Sequence, residues 1–299
     1  MERTVESIGA KMDALGMWNA AKRYNWAVKP RGSAFPYFCS MVDGDRARVK
    51  LRFLMIDGWE TFGMYVRTRI DPEFGFYSTP IEMPHLELVF LEAGGVALLR
   101  YDTGYIPREA TGVEKELCAK ILWESYGIML RLETDGSLPM KFASEKAMFA
   151  RVEDGDGWRD AALPIPPPRP YVESVQLRKD AVAKANDLPF DAGKAIEADF
   201  GMETGISTSE NRPRAVYRLR TFDAETGARK IFERVSLSPD FGLKQMWESV
   251  PARLLAHFIA EGRIPGEIRV RSGRLFRMLR PLCANIPVKL TFSAKLAHV

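Results

Sequence analysis

Residues 164–170 read Pro-Ile-Pro-Pro-Pro-Arg-Pro. Each of the five prolines fixes φ near about −65° and removes an amide donor, so the segment cannot run as a helix or a central strand and favours an extended polyproline conformation. The reading is a stiff proline-rich connector over residues 163–170, between an N-terminal domain, residues 1–162, and a C-terminal domain, residues 171–299. A ligand for a proline-recognition domain is the rival reading. The total of 299 residues fits two domains of roughly 100–200 residues each.

An internal echo crosses this divide. Trp123-Glu124-Ser125 recurs as Trp247-Glu248-Ser249, each followed by a helix disruptor, Gly127 or Pro251, then by an apolar run. Both runs end in a similar stop, Gly136-Ser137-Leu138-Pro139 and Gly262-Arg263-Ile264-Pro265. Extended runs follow at Met140–Phe142 and Glu267–Val270, then Phe149 and Phe276. Thr111-Gly-Val-Glu114 has capping-box spacing, and Leu117, Cys118, Ile121, Leu122, Ile128, Met129 and Leu132 form one helical face. For the second helix, Ser238-Pro239-Asp240 is the expected start, and Pro251 is expected to split or kink it near Val250. The triplets themselves lack the glycines of a nucleophile elbow, so helix packing and not catalysis explains them.

Elsewhere, residues 6–24 read as a helix. Strands are expected at Tyr37–Met41, Val49–Ile56, Phe62–Thr68, Leu86–Leu91 and Val96–Tyr101, and later at Ala195–Phe200, Ala215–Thr221 and Lys230–Ser236. Strands bunched ahead of helices predict an α+β fold: two α+β halves with a similar helix–turn–strand unit, joined by the connector.

Hydrophobic residues make up 46% and charged residues 27%, which excludes a wholly disordered chain or a coiled-coil rod. The first residues, interrupted by Lys11 and Asp13, carry no secretory pattern, and no apolar run approaches the ~20 residues that cross a bilayer. Cys39, Cys118 and Cys283 are odd in number and widely spaced, so reduced, mostly buried thiols in a cytoplasmic protein are expected.

No phosphate-binding glycine loop, dinucleotide fingerprint or His-Glu-x-x-His occurs. His85, His257 and His298 lie far apart, and Glu153-Asp154-Gly155-Asp156-Gly157 places Trp158 at the third ligand position of a calcium loop, so a solvated turn is the better reading. The sequence therefore nominates no catalytic residue, no metal ligand and no cofactor site.

Charge is distributed unevenly. The chain totals +4, but residues 251–299 hold nine Lys or Arg against two Glu, +7 locally, leaving −3 for residues 1–250. Arg269 and Arg271 alternate with apolar residues on a strand, and Arg274, Arg277 and Arg280 follow on a short helix. These five form a candidate anion or nucleic-acid face, although no aromatic residue interleaves with them for base stacking.

Leu99-Arg-Tyr-Asp-Thr-Gly104-Tyr-Ile-Pro107 with the helix from Val113, and Pro265-Gly-Glu-Ile-Arg-Val270 with Leu275, Leu279 and Ile286-Pro287, together resemble an uncharacterised bacterial two-domain family of unknown function. Trp18 to Trp26 is similar to that family's early Trp-containing helix; Arg108 stands where the family has an aromatic residue. The resemblance implies no activity. The leading expectation is a non-enzymatic binding or regulatory protein acting on a protein partner or a small ligand. The alternatives are nucleic-acid binding through the arginine face, and an enzyme whose site is assembled from scattered residues.

Overall fold

Alternating apolar side chains build the first sheet. In the computed structural model, which describes residues 3–44, 48–70, 82–135, 138, 147–155, 157–165, 174–206, 213–236 and 242–299, the chain divides into two compact units. The first comprises residues 1–66, 83–102 and 107–169; the second comprises 67–82, 103–106 and 170–299. Each contains helices and its own sheet, which makes the fold α+β. Among the described residues no helix is long and apolar enough to cross a membrane.

The sheet of the first unit runs β6-β5-β4-β3-β2-β1-β7-β8. Its strands are β1 (Asn25–Lys29), β2 (Tyr37–Asp43), β3 (Val49–Asp57), β4 (His85–Leu91), β5 (Val96–Tyr101), β6 (Arg108–Glu109), β7 (Ala147–Asp154) and β8 (Gly157–Pro164). Neighbours are antiparallel except β1 and β7, which pair parallel. Trp26, Cys39, Met41, Phe53, Met55 and Leu88 line one face, where they pack with apolar residues of helices α1 (Val5–Leu15) and α4 (Gly112–Thr134). The capping box at Thr111 and Glu114 forms as the spacing predicts. Trp26 Nε1 donates to Ser125 Oγ at 3.0 Å, so Ser125 serves the core of this unit.

Several expectations change here. The helix expected over 6–24 is broken at Gly16, whose φ of 69° caps α1; a short α2 (Trp18–Ala21) follows. The strand expected at Phe62–Thr68 is instead part of helix α3 (Gly58–Ile70). Phe62 and Tyr65, one helical turn apart, supply the reason: Phe62 stacks on Phe38 at 4.4 Å, and the Tyr65 hydroxyl is 2.9 Å from Ser40 Oγ. Leu163 and Pro164, at the expected connector, end the edge strand β8, a position where a missing amide is tolerated. The rest of the proline run, the Gly136 stop and the Met140–Phe142 strand lie outside the described residues.

In the second unit α5 (Lys179–Asn186) precedes a meander of β9 (Phe190–Ile206), β10 (Ala215–Asp223) and β11 (Arg229–Ser236). Helix α6 (Leu243–Glu261), β12 (Ile264–Val270), α7 (Gly273–Cys283) and β13 (Lys289–Phe292) complete a sheet of order β11-β10-β9-β12-β13. Helix α6 begins at Leu243 behind Gly242, not at Ser238, which lies outside the described residues. Nor does Pro251 split it: the ring is buried within one continuous helix that ends at Gly262 in the left-handed conformation, φ 69°.

The two Trp-Glu-Ser triplets do different work. Trp247 is fully buried, edge-on to Phe200 at 4.7 Å, whereas Trp123 is half-buried beneath the Arg3 guanidinium at 4.3 Å. Phe149 is on a strand and Phe276 on a helix. In topology the units do agree on one point. The next described strand after each long helix, β7 or β12, pairs parallel to the first strand of its own sheet.

Candidate functional site

Strand alternation sorts the second sheet into an apolar face and a polar one. Ile196, Ala198, Phe200, Leu219, Ile268 and Val270 belong to a core shared with Trp247, Leu254, Phe258, Leu275 and Met278 of the helices. The intervening residues, Glu197 and Asp199 on β9, Arg218 and Arg220 on β10, Phe232 and Arg234 on β11 and Arg269 on β12, lie on the opposite face.

That face is a lattice of ion pairs. Arg218 holds Glu203 through bonds of 2.5, 2.6 and 2.9 Å, and Arg234 is 3.7 Å from the same carboxylate. Arg220 donates to Asp199 at 2.6 Å, with Arg271 at 3.5 Å on the same oxygen. Arg269 is 2.8 Å from Glu267, which also accepts from the Thr291 hydroxyl at 2.6 Å. Arg218 holds Glu203 below the usual carboxylate range, and the hydroxyl bond from Thr291, helped by Arg269, does the same for Glu267. Glu197 accepts the backbone amides of Ala297 and His298 at 2.8 and 2.7 Å, which lays the segment around residues 297–299 against the same face.

Phe232 sits among these charges. It is 46% exposed, with the Arg218 guanidinium 3.6 Å from its ring centre and that of Arg229 at 4.4 Å. Phe232 thus joins arginines other than the five nominated from sequence. The signal was present as Arg218-Leu-Arg220 and Phe232-Glu-Arg234, but only the β10–β11 register, with Arg220 opposite Phe232, places the pieces together.

The structure divides the five arginines nominated from sequence. Arg269 and Arg271 belong to the polar face, and Arg271 also donates to the Val299 carbonyl at 3.2 Å. Arg274, Arg277 and Arg280 are on α7, on the helical side. Arg274 is buried, stacked 4.1 Å over Trp247 and 3.5 Å from Glu82 Oε2; Arg280 lies 5.8 Å from the Phe276 ring, and Arg277 is half-buried.

A second polar group is buried in the first unit. His85 stacks on Tyr101 at 4.3 Å, its Nδ1 lies 2.7 Å from the Met83 carbonyl, and its Nε2 lies 3.1 Å from Glu87 Oε2. A carbonyl only accepts, so Nδ1 carries a proton toward Met83. Arg52 Nη1 lies 3.8 Å from the same Glu87 oxygen. His85 and Glu87 are 0% exposed.

Burial keeps the cysteine thiols and two of the tyrosines in their neutral forms. Burial pushes the Cys39 and Cys283 thiols up to about 12 and Cys118 upward as well. Burial, with Asp57 adding, raises Tyr37 to about 12; burial and then Glu82 raise Tyr217. Among the described residues no three His, Cys, Asp or Glu side chains form a group suited to a metal ion. Comparison with protein-family models, curated proteins and solved structures found no match.

Proposed function

We propose that this chain is a non-enzymatic binding protein whose polar sheet face in the second unit receives an acidic segment of a partner protein. The observation that carries this reading is Phe232, an exposed ring gripped by Arg218 and Arg229. Such a cluster offers an apolar contact beside two guanidiniums, and guanidinium matches carboxylate bidentately, as Arg218 already does with Glu203. Arg234, 69% exposed, extends the basic surface. The upward-shifted thiols and tyrosines support binding over nucleophilic catalysis, and free cysteines support a cytoplasmic setting.

Phe232 also favours a second reading, single-stranded nucleic acid stacked on the ring with arginines on its phosphates. It ranks lower because a strand of several bases needs successive rings to stack on, and among the described residues of this face Phe232 is a single exposed ring.

Fluorescence anisotropy with a labelled Glu- and Tyr-rich peptide and with labelled single-stranded DNA and RNA tests both. The expected result is salt-sensitive peptide binding that weakens about tenfold or more in Phe232→Ala and in Arg234→Gln. Tighter binding of the oligonucleotides, with a steep salt slope, selects the second reading. Binding of neither probe rejects the face as the binding surface.

A further inference from the structure

The polar face of the second sheet is not bare. Past β13 the Ser293 amide donates to the Val270 carbonyl at 2.8 Å and the Ser293 hydroxyl to the Lys295 carbonyl at 2.6 Å. The Ala297 and His298 amides then donate to Glu197 at 2.8 and 2.7 Å, one to each carboxylate oxygen, and Arg271 donates to the Val299 carbonyl at 3.2 Å. Glu197 is 3% exposed. A Cβ on Gly227 would stand 2.8 Å from His298 Nδ1, so the glycine of this turn leaves room for the imidazole. Residues 293–299 thus form a strap that leads from β13 at the edge of the sheet, past Arg271, to β9 and on to the turn between β10 and β11.

Two successive amides directed at the two oxygens of one carboxylate make charge-assisted bonds that ask nothing of the side chains beside them. The strap uses only backbone atoms in its three bonds to Glu197 and Arg271, so another peptide segment with two adjacent free amides and a following carbonyl meets the same groups. This seat borders the Phe232 cluster. Glu197 is the register partner of Phe222 and Phe222 that of Arg229, two strand spacings or about 10 Å away, and the next line across the same face runs Asp199, Arg220, Phe232. Gly227, beside the His298 ring, lies two residues before Arg229.

We propose that Glu197, Arg271 and Gly227 form a binding site for a short peptide segment, which residues 293–299 occupy in cis as a displaceable strap. Residues 293–296 tether the seated part to β13. A short tether supplies an effective concentration of about 1 mM, so a seated strap implies that the same sequence binds in trans with a Kd of about 1 mM or tighter. An incoming segment has to displace the strap, and its apparent affinity is reduced by the fraction of molecules in which the seat is open. As a block on the acidic partner segment the strap rests on the Phe232 reading; as an occupied peptide site it does not.

The test compares the full chain with a chain shortened to residues 1–292, which keeps β13 whole, using the anisotropy of a labelled peptide of residues 293–299. The peptide is expected to saturate the shortened chain with a Kd of about 1 mM or tighter and to bind the full chain about tenfold or more weakly. Ala297→Pro in the peptide, which deletes one amide donor, and Glu197→Gln in the shortened chain, which deletes one acceptor oxygen, are each expected to weaken binding about tenfold. Hydrogen exchange in the full chain gives a readout that needs no shortening: the Ala297 and His298 amides are expected to be protected, and to exchange about tenfold faster in Glu197→Gln. No saturation of a folded shortened chain below about 10 mM, equal binding to both chains, or unprotected Ala297 and His298 amides overturns the proposal. The Glu- and Tyr-rich peptide separates the two readings. Binding about tenfold tighter to the shortened chain supports the block, equal binding to both chains removes it, and binding to neither rejects the Phe232 reading while the strap's own peptide decides the seat.

Discussion

In the second unit the Glu82 carboxylate and the Arg274 guanidinium face each other at 3.5 Å, with 3% or less of either side chain exposed. Tyr217 and Trp247 donate to the other Glu82 oxygen at 2.9 and 3.3 Å, and the Arg274 guanidinium lies 4.1 Å from the centre of the Trp247 ring. Removing one charge of such a pair strands the other away from water. Glu82→Gln is expected to cost about 3–5 kcal/mol in urea denaturation, and the double variant Glu82→Gln/Arg274→Met less than Glu82→Gln alone. A single-variant cost below about 1 kcal/mol contradicts this account.

Ser125 makes a narrower contribution. Its hydroxyl accepts from Trp26 at 3.0 Å and points its own hydrogen toward Cys39 Sγ at 3.8 Å. Ser125→Ala leaves the indole donor buried and unpaired, a loss of about 1–3 kcal/mol, and is expected to shift the emission of Trp26 in the folded protein. Unchanged stability would remove Ser125 from the packing account.

Acid should weaken the start of α4. Glu114 accepts the Thr111 amide at 2.7 Å and two bonds from Arg108 at 2.7 and 2.8 Å, and chiefly the Arg108 bonds hold its carboxyl down at about 2. The folded chain therefore releases this proton more readily than the unfolded chain. The resulting stability is complete above the ordinary glutamate value of about 4.3 and is lost as pH falls toward about 2. Glu114→Gln is expected to cost about 1–2 kcal/mol at neutral pH, a figure reduced for the partial exposure of the pair, and to match the native chain near pH 2. A pH-independent difference between the two would assign the effect to the cap alone.

Thiol labelling gives a fourth check. Burial keeps Cys39 and Cys118 protonated and inaccessible, whereas Cys283 is only partly buried. At about pH 8 a thiol reagent should modify at most Cys283 in the folded protein and all three cysteines after denaturation. Rapid native labelling of Cys39 would contradict its place in the core.

Features resting on residues a few positions apart were legible in the sequence: the Thr111–Glu114 capping box, the left-handed stop at Gly262 and the strands β2 to β5. Helix α3 was not, because Phe62, Met64 and Val66 alternate as a strand would, and only the Phe38 ring, distant in sequence, selects the helix. The polar face was half legible. Arg269 and Arg271 were nominated, but Phe232 and Arg218 meet through a register that no local pattern encodes. Arg274 was misjudged for a related reason: its burial depends on Glu82, 192 positions earlier.

The path of the chain bears on how the protein is made and cut. Residues 67–82 and 103–106 are translated with the first unit but belong to the second, and Glu82 sits in the second unit's interior. A ribosome that has released the first 165 residues has thus already delivered parts of both units, and the second gains its full complement only when its later strands emerge. A gene truncated at the proline run leaves the second unit incomplete: the first fragment carries Glu82 without its arginine, and the other carries Arg274 without its counter-charge. The connector that looks from sequence like a natural seam is a poor place to divide this protein.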